Sequence, residues 1–314
     1  MPSPPTTATG SENAHSLTTD DGLRLHVEVE GAVDAPVTVV LTHGWTQSLD
    51  TWRHQVRHLC SGAVGSIQVV RYDHRGHGRS EATSEAAATI ENLAHDLSLV
   101  IDTYAPEGPL VLAGHSMGAM AMMGLAEHRP DLFADRVAGA VFVSTAAGHL
   151  DRVTLGLPAP MGARLRARLP RLLATRARML SRRTRARPPA IESQVVRRFL
   201  LGRPVRPADH QIVLRDLVST PADSMCGFFG DLMRHDRTAA LSALDQVPTR
   251  ILVGDRDRLT APSHARWLAR SMPWAELVVL RRAGHMLPLE RDAAVTSNLA
   301  ELVRATRPQA ARGG

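Results

Sequence analysis

Apolar and polar residues alternate strictly over residues 23–30 (Leu-Arg-Leu-His-Val-Glu-Val-Glu). A period of two puts every apolar side chain on one face, so this stretch predicts an antiparallel strand with one wet side. The later apolar runs read differently. Residues 37–41, 69–72, 110–113, 137–143, 250–253 and 277–280 are close to continuously apolar and rich in Val, Ile and Leu. Such runs predict parallel strands buried on both faces. Between them the period lengthens to that of a helix. Over 90–104, Leu93, Leu97, Val100 and Ile101 fall on one stripe, and 263–272 and 293–305 fit the same spacing.

Strands alternating with helices predict an α/β fold with a mostly parallel, doubly wound sheet. The alternation stops between residues 148 and 247. There the helical patterns are broken by Pro158, Pro160, Pro170, Pro188, Pro189, Pro204 and Pro207, and no strand pattern stands out. The expected organisation is a disordered tail over 1–16, an α/β core built from 17–147 and 248–308, and a helical insertion over 148–247.

Composition changes this picture only through charge. The chain carries a formal +6, holds no Lys, and has a pI near 10.6. That balance invites a nucleic-acid reading, but its distribution argues otherwise. Residues 151–206 hold 15 Arg against Asp151 and Glu192, so this segment carries +13 and the rest of the chain −7. The basicity is one local block in the insertion, and no nucleic-acid partner is expected. Over 161–180, Leu165, Leu169, Leu172, Leu173 and Leu180 fall near one face with Arg on the other, and Pro170 divides the run. Three readings are open: a solvated basic face, contact with an anionic membrane surface, or recruitment of an anionic substrate. Two cysteines, no 18-residue apolar run and no basic start followed by an apolar stretch together predict a cytoplasmic, reduced setting.

The candidate chemistry sits at the ends of the predicted strands. Val111-Leu112-Ala113-Gly114-His115-Ser116-Met117-Gly118 runs a buried strand into Gly-x-Ser-x-Gly, followed by a helix of small residues. A nucleophile elbow needs Gly114 and Gly118 because side chains there would strike the neighbouring strand and helix, and the turn pushes the Ser116 hydroxyl over the sheet edge. His43-Gly44-Trp45 ends an earlier strand where an oxyanion hole is needed, which makes the amides of Trp45 and Met117 the candidate donors. Asp255 and Asp257 both follow a late strand and could orient a base. His285 follows the last strand, and the order Ser, Asp, His is the one expected for a triad on this kind of sheet. His43 and His115 are expected to hold backbone, while His235 and Asp236 could line a pocket. No His, Cys, Asp and Glu cluster shows metal-ligand spacing in the sequence, so no metal and no cofactor are expected.

Together these stretches, with Asp73-His74-Arg75-Gly76-His77-Gly78-Arg79-Ser80, resemble the α/β-hydrolase superfamily, in particular its bacterial esterase, lipase and haloperoxidase-like branch. The resemblance runs from about residue 20 to the C-terminus and is weakest over the insertion. It implies Asp257 rather than Asp255 as the third triad member, and an insertion that caps the active site. The family usually has Pro four residues after this Asp, where this chain has Ala261 followed by Pro262. The implied activity is hydrolysis of a small, hydrophobic acyl ester through an acyl-enzyme on Ser116. Thioesterase, lactonase or amidase chemistry would use the same residues, and a non-catalytic ligand-binding protein is the reading from another class.

Overall fold

The computed structural model describes residues 13–32, 34–150, 160–164, 167–168, 171–172, 175, 190–202 and 205–306. Eight strands form one sheet: β1 (Ala14–Thr18), β2 (Arg24–Gly31), β3 (Thr38–Thr42), β4 (Gln68–Tyr72), β5 (Leu110–His115), β6 (Val137–Val143), β7 (Thr249–Gly254) and β8 (Glu276–Leu280). Their order is β1-β2-β4-β3-β5-β6-β7-β8. The β1–β2 and β2–β4 pairs are antiparallel and every later pair is parallel. The alternating stretch thus becomes the antiparallel strand β2, and the continuous apolar runs become the parallel centre.

The period of two inside those runs sorts their side chains into two cores. Val40, Val70, Leu112, Phe142 and Val253 point to one face of the sheet. There they meet α2 (Ile90–Tyr104), α3 (Met117–His128) and α8 (Pro262–Ser271) through Leu97, Met122 and Leu268. Val39, Leu41, Val69, Ala113, Val143 and Leu252 point to the other. They pack on α1 (Arg53–His58) and α10 (Asp292–Thr306) through Val56, Leu299 and Val303. Helices on both faces leave the carboxyl ends of β3, β5, β6, β7 and β8 as one open edge, where crevices form in sheets of this kind.

Two expectations need correction. Ala14, His15 and Ser16 are not tail but the first residues of β1, paired with β2. They carry no apolar stripe because the strand is exposed apart from Leu17, which packs against the core. β8 is not buried on both faces. It is an edge strand, and Val279 is 42% exposed.

Among the described residues of 148–247 there is no strand. Residues 160–164 are helical, followed by α5 (Ala190–Val195), which runs on into a helical turn over Val196–Leu200, then α6 (Pro207–Ser219), α7 (Ala222–Leu232) and a short helical turn over Ala239–Leu244; a short α4 (Pro130–Asp135) precedes β6 and α9 (Leu287–Glu290) follows β8. Polar bonds fasten the insertion to the core. Ser48 donates to Asp216 at 2.7 Å, His54 contacts Asp209 at 2.9 Å, and Asp231 accepts the amide of Ile90 at the start of α2. The amphipathic pattern expected over 161–180 falls largely outside the described residues; Met161 and Leu172 are exposed. No described helix is long and apolar enough to cross a membrane.

Candidate active site

β5 ends at His115 and α3 begins at Met117, so Ser116 alone makes the turn, at φ 52° and ψ −116°. A β-carbon in the left-handed region is costly, and such strain persists only where the surroundings enforce it. Here they do. The Ser116 amide donates to Val143 of the neighbouring strand at 2.8 Å, and its carbonyl accepts from the Thr145 hydroxyl at 2.9 Å. A β-carbon at Gly114 would collide with the Ala119 main chain, and one at Gly118 with the carbonyls of Thr42 and His43. Thr46, Ser116, Ser144, His149 and Arg282 are the described non-glycine residues with left-handed φ, and all follow the carboxyl ends of strands. Among the described residues, backbone strain is concentrated at one sheet edge.

His285 lies on the loop after β8 and is buried. Its Nδ1 is 2.9 Å from Asp257 Oδ2. The second oxygen of Asp257 accepts the amides of Leu259 and Thr260 at 2.9 and 3.0 Å, and the Thr260 hydroxyl donates to Oδ2 at 2.9 Å. Burial alone would raise the Asp257 pKa. His285 and these donors outweigh it and hold the carboxyl below its usual value, so it is ionised at neutral pH. Asp255, the other candidate, turns away and accepts the Ala283 amide at 3.3 Å. It is Asp257 that reaches the histidine.

Trp45 follows Gly44 on the loop after β3. Among the described residues its main-chain N–H has no acceptor. Met117 opens α3, where the first amides have no partner inside the helix. The loop bearing Trp45 is held by three buried histidines. His77 Nε2 accepts the Thr46 amide at 3.1 Å. His43 Nε2 accepts the His74 amide at 2.9 Å, and His74 Nε2 faces the His43 carbonyl at 3.0 Å. Burial pushes His43 down to about 4 and His77 down to about 3, so the rings are neutral and can accept these amides.

Three supporting residues, Gln47, Thr260 and Glu290, were not singled out from the sequence, whereas His115 holds backbone as expected. His115 spans from Gln47 Oε1 at 3.0 Å to the His285 carbonyl at 2.8 Å. Gln47 also accepts the Gly44 amide at 3.2 Å. Thr260 lies between Asp257 and His285. Glu290, on α9, accepts the amides of Gly202, Gly284 and Met286 at 2.5, 3.0 and 3.0 Å. The Leu200 carbonyl accepts the His285 amide at 2.8 Å. The insertion is therefore stitched to the loop that carries His285. Apart from the expectation for His115, little in the sequence pointed to these contacts, because most of them join segments far apart in the chain. His235 is buried, with its pKa lowered to about 4 by desolvation, and Asp236 accepts from Thr238.

Comparison with known proteins fits this geometry. The alpha/beta hydrolase family matches residues 39–297. The chain belongs to the alpha/beta hydrolase family. Within it, the chain is 31% identical to the probable oxidoreductase EphD of Mycobacterium tuberculosis, over 93% of this chain and 50% of that protein. It is 36% identical to epoxide hydrolase B of the same organism, over 48% of this chain and 40% of that protein. The chain thus spans about half the length, or less, of these curated relatives. Among solved hydrolases, a thermophilic esterase from Thermogutta terrifontis superposes with a TM-score of 0.72 at 25% identity, covering 94% of this chain and 99% of that one.

Proposed function

We propose that this chain is a serine hydrolase that cleaves carboxylic esters through an acyl-enzyme on Ser116. The observation that carries the reading is the elbow itself: a serine at φ 52° between β5 and α3, beside a histidine loop whose ring is bonded to a buried, ionised Asp257. In this reading His285 takes the Ser116 proton as the hydroxyl attacks the ester carbonyl. Asp257 fixes the imidazole tautomer and stabilises the imidazolium. The amides of Trp45 and Met117 hold the negative charge that develops on the substrate oxygen, each worth roughly 10²–10³ in rate. The protonated His285 then hands its proton to the leaving alcohol. Water attacks the acyl-enzyme with the same histidine as base, and the acid is released.

The identity of the nucleophile argues against epoxide opening, despite the relatives so named. A carboxylate that attacks an epoxide carbon forms an ester, which activated water can hydrolyse at its carbonyl. A serine would form an ether, with no carbonyl to attack, and the enzyme would stop after one turnover. Around Met117 the apolar cluster of Met120, Leu150, Phe228 and Leu232, with Trp45 and Met233 partly buried against it, suits a hydrophobic acyl group.

One observation favours a second reading, an ester or thioester with an anionic remote group. A cavity of about 740 Å³ is lined by Arg197, Leu201, Gly202, His210 and Arg282, and it borders the segment bonded to His285. Arg206 and Arg215 pair with Asp292 and Asp50, whereas Arg197 and Arg282 have no carboxylate partner among the described residues. The test is an acyl-chain series of nitrophenyl esters and matching coenzyme A thioesters, run on wild type and Ser116→Ala, with intact-mass detection of a fluorophosphonate adduct. Turnover and labelling that both vanish in Ser116→Ala support the serine mechanism. Equal turnover by the variant overturns it.

A further inference from the structure

We propose that Glu91, His95 and His128 form a binding site for a divalent transition-metal ion, zinc in the first instance, remote from Ser116. Glu91 and His95 stand one turn apart on α2, and His128 is the last residue of α3. The two helices pack closely, because Gly124 on α3 faces Ala94 on α2 and a β-carbon there would come within 2.8 Å of the alanine methyl. That approach brings three ligand-bearing side chains from two helices to one point.

The three ligand atoms are close enough for small side-chain rotations to bring them onto one tetrahedral ion, and the Glu91–His95 distance already matches. Zinc binds His nitrogen and carboxylate oxygen at about 2.0–2.2 Å, so neighbouring ligand atoms must lie about 3.3–3.5 Å apart. Glu91 Oε1 is 2.9 Å from His128 Nε2 and 3.5 Å from His95 Nε2. All three ligand atoms fall within 4.8 Å of one another. The His95 side chain is 60% exposed, so solvent can supply a fourth ligand.

The two oxygens of Glu91 have separate duties. Oε1 faces the histidines, while Oε2 accepts from Arg237 at 2.6 Å. Outer partners of this kind orient a ligating carboxylate. Arg237 is itself paired with Glu127, which offsets its charge next to the site. Its amide also donates to the Ala147 carbonyl at 2.7 Å, where the chain leaves the sheet for the insertion. An ion here would tie α2 to α3 and, through Arg237, to the edge of the insertion. His128 ends the 12-residue helix that follows Ser116, about 18 Å away at 1.5 Å per residue. The role is therefore structural.

The experiment uses the full chain without an affinity tag, stripped with chelator and titrated with Zn²⁺ by calorimetry and with Co²⁺ by visible absorption. Expected are one equivalent of tight binding, a four-coordinate cobalt spectrum and a raised Tm with zinc. His95→Ala and His128→Ala should each weaken binding at least about 10–100-fold, the range set by losing even an outer partner, and Glu91→Gln should do the same. All three side chains are at least partly exposed, so the variants should keep the fold, checked by circular dichroism. Absence of stoichiometric binding, or binding unchanged in the His95→Ala/His128→Ala double variant, overturns the proposal.

Discussion

The Nε2 atom of His115 lies 2.8 Å from the main-chain oxygen of His285. The residue before the proposed nucleophile thus touches the backbone of the proposed base, and its other nitrogen faces Gln47 on the loop after β3. A neutral imidazole has one N–H, and burial pushes His115 down to about 3, so the ring donates to one of these oxygens at a time. Removing it should loosen the base while leaving the binding pocket intact. We expect His115→Ala to lower kcat about 10–100-fold with KM little changed. His115→Gln, which can still donate, should recover part of the loss. Ester kinetics on both variants, with urea unfolding as a control for folding, decides this; a KM effect alone would contradict it.

Asp257 and Asp255 are two residues apart but do different work. Asp257→Asn should leave the imidazole in the wrong tautomer and cost about 10⁴-fold in kcat. Asp255→Asn keeps an oxygen that can accept the Ala283 amide and should stay within a few-fold of wild type. Parallel kinetics on the two variants measures this directly, and similar losses in both would refute the assignment of Asp257.

Stability should fall as the solution is acidified from neutrality. His43, His77, His115 and His235 are neutral in the fold and remain so down to about 3–4, whereas the unfolded chain protonates them near their usual value of 6.5. Between those values the unfolded state binds more protons, so stability is present above the window and is lost as pH drops into it. The depressed Asp257 adds to the loss at lower pH. Asp216, raised to about 6 by burial, works against it by taking one proton in the fold. Urea unfolding between neutral and mildly acidic pH should show a net linkage of about two or more protons. A flat profile would mean that these rings are not buried as neutral acceptors.

Glu290→Gln keeps the shape of the side chain but removes the charge that accepts three amides. Hydrogen bonds to charged groups contribute about 1.5–3 kcal/mol each, and part of that would be lost. The variant should melt several degrees lower and show a reduced kcat, because Gly284 and Met286 flank His285. Differential scanning calorimetry and ester kinetics test both halves; an unchanged Tm would show the carboxylate to be dispensable.

Much of the sheet was legible because its central strands are buried on both faces, and only an apolar run such as 137–143 can occupy such a place. Gly114 and Gly118 were legible because no other residue fits between those backbones. β1 was not, since an exposed strand such as Ala14–Thr18 imposes no pattern on its side chains. The Glu91 cluster was half visible: Glu91 and His95 share a helix face, but His128 joins them only through the packing of α2 on α3. Glu290 left no trace, because its three donors are main-chain groups that any residue supplies.

The stitching of Leu200 and Gly202 to the histidine loop constrains how this scaffold can be re-engineered. A chimaera that imports a relative's cap as a complete cassette would also replace the carbonyl and the amide against which His285 and Glu290 are set. Its new specificity would arrive with a misaligned proton acceptor. Grafts whose junction falls after Gly202, sparing the 200–202 segment, should exchange acyl preference while leaving the chemistry in register.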